Sequence, residues 1–234
     1  MRPDRRQGVF ETMLVRDGRV HAQPRHLDRL AHSIGALYGR RLPPDLARQL
    51  HGTAAALTGD HRLRVDAVPG QDLAITTAPV AAGYRRPVTL APLVVPGGLG
   101  PHKWRDRTLL STIVSRYRDT ISGGDTRGRL LVDADGTVLE VAWGNVWLLE
   151  DDALVTPPAD GRILPGVTRA LLLELAPSLG LRAREEPISL DRVHRAQSAF
   201  ATSAIRLAVP VTLAGHAAPP HALVDRIQSA VGPH

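Results

Sequence analysis

The chain has no cysteine among its 234 residues, which excludes disulfides, thiol nucleophiles and cysteine metal sites. No apolar run approaches the roughly 20 residues that span a bilayer, and the opening MRPDRRQGVF lacks the apolar stretch of a signal peptide. No membrane association is expected, and a cytoplasmic address follows. Aromatic residues are only 3% of the chain, so the core must be built from Leu, Val, Ile and Ala. Lysine is scarcer still: of 29 lysines and arginines, Lys103 is the one lysine and the other 28 are arginines. A composition rich in Ala, Arg, Gly and Pro, as GC-rich coding produces, accounts for part of that bias. Chemistry offers a second reason. Arginine stays protonated wherever it sits, whereas lysine can be desolvated until its amine acts as a nucleophile or base.

What is present is the composition of a soluble globular protein, 43% hydrophobic and 22% charged. The length suits one large domain or two small ones. A net charge of +6 and a pI near 10.8 invite a nucleic-acid reading. The arginines, however, are dispersed in runs no longer than two and are not interleaved with the aromatics that stack bases. A small anionic ligand is the better use of the charge, and neither nucleic acid nor metal is expected.

Pattern along the chain gives the organisation. GVFETMLV and RDGRV read as a strand and a hairpin turn built on Asp17-Gly18. In PRHLDRLAHSIGALYG the spacing of Leu27, Leu30, Ile34 and Leu37 predicts an amphipathic helix stopped at Gly39. A second helix is expected from Pro44 to Leu57, then strands in RLRVDAV, DLAITTAPV and RRPVTLAPLVV. The turn-rich PGGLGPH follows, and a helix is expected from Trp104 to about Ile121. Beyond it come a hairpin turning at Asp135-Gly136, a strand NVWLLE, a helix opened by LPG and closed by Gly180, further short strands, and a C-terminal helix ending near Val231. Helices and strands mix without a βαβ repeat, so the class is α+β (mixed α/β) in two lobes. The boundaries read as a smaller N-terminal domain over 1–96, a linker over 97–102, and a larger domain over 103–234 that carries Lys103.

Four residue groups are candidates for chemistry, each beside a plainer alternative. Lys103 sits at the lobe junction, where pockets are common, although most lysines are surface residues. Glu140 lies in TVLEVAWGN among apolar neighbours that make burial plausible; such a carboxylate needs an arginine or a ligand as partner. Gly166, Val167 and Thr168 open a helix, where backbone N–H groups favour an anion, though every helix has such an end. Arg29 lies mid-helix on the polar side of Leu27 and Leu30, where most arginines are simply solvated. Together they offer an amine, a carboxylate and two phosphate anchors, the inventory that pyridoxal 5′-phosphate requires.

The ordered stretches GVFET, HLDRL, HKWRDR, LEVAWGNVWLL, TPPADGRILPGVTR and FATSAIRLAVPV, spread from about residue 8 to residue 211, resemble the fold-type IV pyridoxal-phosphate enzymes of the class IV aminotransferase family. That family includes branched-chain and D-amino-acid aminotransferases and aminodeoxychorismate lyase. The resemblance implies that Lys103 is the Schiff-base lysine and that Glu140 pairs with the pyridine nitrogen. It implies that Arg29, Val167 and Thr168 hold the phosphate, that Asn145 is the asparagine on the strand after the glutamate, and that Ser203 with Ala204 forms a second phosphate-binding segment. Ala204 stands where a hydroxyl residue is common, so it would contribute only its N–H, and Leu207 replaces a usual glycine. Family members carry one or two further strands ahead of GVFET; the first sheet is expected to be shortened or completed by a neighbour in a homodimer.

Within the family, KWRDR is similar to the lysine region of aminodeoxychorismate lyases, which implies conversion of 4-amino-4-deoxychorismate to 4-aminobenzoate and pyruvate. If the segment is helical, Arg107 lies one turn from Lys103. Arg107 and Arg206 are then candidate clamps for the two substrate carboxylates, with a structural ion pair the alternative for each. The runner-up is an aminotransferase using a 2-oxo acid, and a noncatalytic relative is the third reading.

Overall fold

The computed structural model describes residues 2–81, 86–110, 127–213 and 221–233. These group into two compact units, one of residues 2–81 with 102–110 and the other of 86–101 with 127–232. The division follows strand pairing rather than chain order: the strand at 88–94 belongs to the second unit's sheet, and the segment beginning at His102 belongs to the first.

In the first unit, β1 (Val9–Arg16), β2 (Arg19–Val20), β3 (Asp60–Ala67) and β4 (Ala74–Pro79) form an antiparallel sheet in the order β2-β1-β3-β4. Asp17 and Gly18 take left-handed φ values of 47° and 80°, the geometry that lets a two-residue turn match strand twist. Helix α1 (Gln23–Tyr38) ends at a left-handed Gly39, as its spacing predicted. With α2 (Leu46–Ala55) it supplies Leu30, Ile34, Leu46 and Leu50 to a core shared with Val9, Met13, Val15, Leu63 and Val65.

The second unit is a nine-stranded mixed sheet in the order β10-β9-β8-β12-β13-β5-β6-β7-β11. Its strands are β5 (Val88–Val94), β6 (Arg127–Val132), β7 (Thr137–Val141), β8 (Asn145–Glu150), β9 (Ala153–Thr156), β10 (Arg182–Glu185), β11 (Ile188–Ser189), β12 (Ser198–Ser203) and β13 (Leu207–Leu213). Strand β5 runs parallel to both neighbours, β13 and β6. Helices α3 (Val167–Leu175), α4 (Leu190–Arg195) and α5 (His221–Val231) complete the unit. All four residues of β9 are buried and β8 is buried over Asn145–Leu148, which explains their unbroken apolar runs. The architecture is the mixed α/β class read from the sequence, and no helix among the described residues is long and apolar enough to cross a membrane.

One local difference matters for the site. The helix expected from Trp104 begins only at Thr108, and residues 111–126 of that expectation lie outside the described residues. Strand β2 pairs with β1 only at Val15 and Arg16, so the start of β1 has an open edge. Lys103–Arg105 lies along that edge instead: Phe10 donates its N–H to the Lys103 carbonyl at 2.9 Å, Arg105 donates to Gly8 at 3.0 Å, and Trp104 bridges Val9. Satisfying these strand groups outweighs a local helical tendency.

Gly8 has φ 92°, and a Cβ there would lie 2.3 Å from the Ala67 carbonyl oxygen. Gly8→Ala should therefore destabilise the protein by about 2 kcal/mol or more. A urea unfolding midpoint unchanged from wild type would refute that close approach.

Candidate active site

The first unit gathers positive charge around one ring. Phe10 is buried on β1, with the Lys103 Nζ 5.0 Å from its centroid and the Arg107 guanidinium carbon 5.3 Å away. Arg64 lies over the same ring at 3.8 Å. Lys103 and Arg107 are thus brought to one ring, although not by the shared helical turn that the sequence suggested. Attraction of cations to the ring's electron-rich face accounts for the grouping. Asp66 ties down two nearby guanidinium groups, Arg64 at 2.6 Å and Arg105 at 2.7 Å. Burial acts to raise the Asp66 carboxyl's pKa, but these arginines hold it below the usual carboxylate range.

Arg29 is not the solvated arginine that its helical position suggested. Its side chain is 11% exposed and forks onto Glu11, with Nε 2.9 Å from one carboxylate oxygen and a terminal nitrogen 2.7 Å from the other. Glu11 is 1% exposed, also accepts the Thr12 N–H at 2.8 Å, and lies 3.2 Å from His26 Nδ1. Burial pushes the Glu11 carboxyl up, yet Arg29 and His26 overcome it and hold the group well below the ordinary carboxylate range. Burial, partly opposed by Glu11, pushes His26 down. Phe10, Glu11 and His26 were missed from sequence. The available signal was an acid and an aromatic at successive positions of a strand that is buried on both faces.

The second unit brings Glu140 and Asn145 to one residue, Leu164. Glu140, 5% exposed on β7, accepts the Leu164 N–H at 3.3 Å. Asn145, the first residue of β8, donates its side-chain amide to the Leu164 carbonyl at 2.9 Å. Two residues later Gly166 caps α3, offering no side-chain acceptor to the helix's first N–H groups, and Val167 and Thr168 are both buried there. A Cβ at Gly166 would lie 2.0 Å from Asn145 Oδ1, so only glycine lets the asparagine pack against that helix start.

Strands β12 and β13 are joined by a tight turn in which Ser203 pairs with Leu207 and the Ser203 hydroxyl accepts the Arg206 N–H at 3.3 Å. Ala204 lies within this turn. Leu207 adopts φ 58°, so the backbone keeps a glycine-like conformation without a glycine. Arg206 stacks over Trp143 with its guanidinium carbon 4.6 Å from the ring centroid.

With this geometry stand the likenesses to known proteins. Residues 125–214 match the family model described as amino-transferase class IV. A probable branched-chain-amino-acid aminotransferase of Rickettsia bellii is 40% identical over 73 residues, 31% of this chain and 25% of that protein. The match therefore spans a quarter of that relative's length. Among solved structures, a hypothetical aminotransferase from Mycobacterium tuberculosis, in a form with alpha-ketoglutarate and PMP bound, aligns with TM-score 0.82 at 23% identity, over 97% of this chain and 89% of that one. The 4-amino-4-deoxychorismate lyase of Pseudomonas aeruginosa aligns with TM-score 0.73 at 25% identity, over 95% of this chain and 89% of that one.

The buried Glu11 cluster generates a stability prediction. The depressed Glu11 pKa contributes stability that is present above the ordinary glutamate value of 4.5 and lost as pH falls from there toward the folded-state value. His26, depressed from 6.5, adds loss in the same direction on acidification. Glu11→Gln should cost about 3–5 kcal/mol at neutral pH and flatten the slope of unfolding free energy against pH below 4.5. Denaturant titrations from pH 7 to 3 measure both effects, and an unchanged slope would contradict the assignment.

Proposed function

We propose that this chain, whose residues 125–214 match the amino-transferase class IV family model, is a pyridoxal 5′-phosphate-dependent 4-amino-4-deoxychorismate lyase that releases 4-aminobenzoate and pyruvate. The observation that carries the reading is the pair of Lys103 and Arg107 at one buried ring, an amine beside a cation suited to a carboxylate. The donor set fits the cofactor. A buried carboxylate, Glu140, suits a protonated ring nitrogen, and a helix start that Gly166 leaves without a side-chain cap suits a phosphate.

When bound, the cofactor supplies an aldehyde that captures an amine and a ring that accepts the electron pair left by proton loss. In this reading the Lys103 amine would act as the base that removes the ring proton beside the substrate's 4-amino nitrogen. Glu140 would hold a proton on the cofactor's pyridine nitrogen. The N–H groups of Val167 and Thr168, the Ser203 hydroxyl, the Ala204 N–H and Arg29 would hold the phosphate, and Asn145 would hold Leu164 beside Glu140. Arg107 and Arg206 dock the two substrate carboxylates. Departure of the enolpyruvyl group as pyruvate leaves an aromatic ring, so no second substrate is consumed. The reading includes a homodimer in the cytoplasm.

A second reading, a branched-chain aminotransferase, is favoured by the likeness to the Rickettsia bellii protein. There Lys103 would move the amino acid's α-proton, and a 2-oxo acid would be required.

Holoprotein should show a visible absorbance band that borohydride abolishes and that Lys103→Ala lacks. Aminodeoxychorismate should then yield pyruvate without any 2-oxo acid, with Lys103→Ala slower by roughly 10²-fold or more. A band with turnover only when a 2-oxo acid is supplied would replace the lyase with the aminotransferase. No band after reconstitution would overturn both.

A further inference from the structure

Arg162 carries a set of contacts that the proposed chemistry does not use. Its NH1 donates to Asp133 at 3.0 Å, while Nε and NH2 both donate to Asp160 Oδ2 at 2.9 and 2.7 Å. Asp133 follows β6 at the turn into β7, the strand that bears Glu140. The backbone around Arg162 is equally engaged. Its carbonyl accepts the Gly100 N–H at 3.1 Å, and the Asp133 carboxylate accepts the Gly97 N–H at 2.9 Å. At Gly98, with φ 68°, a Cβ would lie 2.1 Å from the Arg162 oxygen. Two residues beyond Arg162 is Leu164, whose N–H and carbonyl meet Glu140 and Asn145.

We infer that Arg162 is a positioning residue: its fork across Asp133 and Asp160 fixes the 160–164 loop against the β6–β7 turn, and so fixes the Leu164 backbone that orients Glu140 and Asn145. The same loop holds the Gly97–Gly100 bend, which the chain traverses three residues before Lys103. An exposed ion pair of ordinary type would contribute little. The Asp133 arm is 30% exposed at Arg162 and 14% at Asp133, the Asp160 arm is more open at 37%, and the fork spans two segments that each lead to a residue of the proposed site. Lysine, a single point of charge on a flexible stem, cannot reproduce the planar fork. The inference rests on the reading of Glu140 as the cofactor's partner.

The test compares wild type, Arg162→Met and Arg162→Lys, each in cofactor-free and reconstituted form. In cofactor-free Arg162→Met, amide hydrogen exchange should quicken in peptides covering 97–100 and 162–166 while the rest of the second unit stays protected. On reconstitution, pyridoxal-phosphate affinity and kcat should each fall about tenfold, as loss of an outer-shell orienting contact does, with KM for the substrate within twofold and the visible band displaced. Arg162→Lys should recover part of each. Faster exchange with unchanged band, affinity and kcat would make the fork merely structural and overturn the inference, as would unchanged exchange. A wild type that takes up no pyridoxal phosphate would overturn the underlying reading along with it, whereas a wild type that binds beside an unaltered Arg162→Met overturns this inference alone.

Discussion

The backbone of Leu164 is the constraint on which the second unit's candidate site depends. A buried carboxylate and a buried amide are both costly unless they are hydrogen-bonded. Here each is met by one end of the same residue, Glu140 by the N–H and Asn145 by the carbonyl. Satisfying both groups fixes the direction in which the chain enters α3. The start of that helix, and hence its electropositive end, is therefore set by two side chains on neighbouring strands.

The first unit follows a comparable logic around Glu11. Arg29, His26 and the Thr12 N–H converge on one carboxylate at the base of β1, and each removes part of the cost of burying it. Phe10, the adjacent residue on the strand, gathers Lys103, Arg107 and Arg64. A strand buried on both faces can present an aromatic to one side and an acid to the other, so two successive residues organise two clusters.

Much of this was legible in the sequence because it rests on local signals. The turn at Asp17-Gly18, the α1 face of Leu30 and Ile34, the hairpin at Asp135-Gly136 and the glycine stop at 39 each follow from short-range pattern, whereas α3 ends at Leu175 and Gly180 closes the 3-10 turn Ala176–Leu179 that follows it. Glu140 was found through its apolar neighbours, and its burial agrees with that reading. What escaped depends on pairing distant in sequence. The extended course of Lys103–Arg105 is dictated by the unpaired edge of β1, some ninety residues earlier in the chain, which no spacing rule near residue 103 encodes. Arg29 is likewise buried by Glu11, a partner on another element; helical periodicity alone placed it toward solvent.

Strand β5 is hydrogen-bonded to β6 and β13, yet residues assigned to the first unit intervene between β5 and β6. The second unit is therefore discontinuous in sequence, and its central parallel strand joins Val88 to Val211 across most of the remaining chain. Such pairing must close a long loop before it yields any stabilisation, which makes it late and slow to form. During synthesis the β1–β4 sheet can assemble while β5 still waits for partners that emerge afterwards. A break in the chain within 95–101 would separate β5 from the rest of the second unit's sheet, so the simplest truncation suggested by chain order would remove a central strand from the portion meant to be kept.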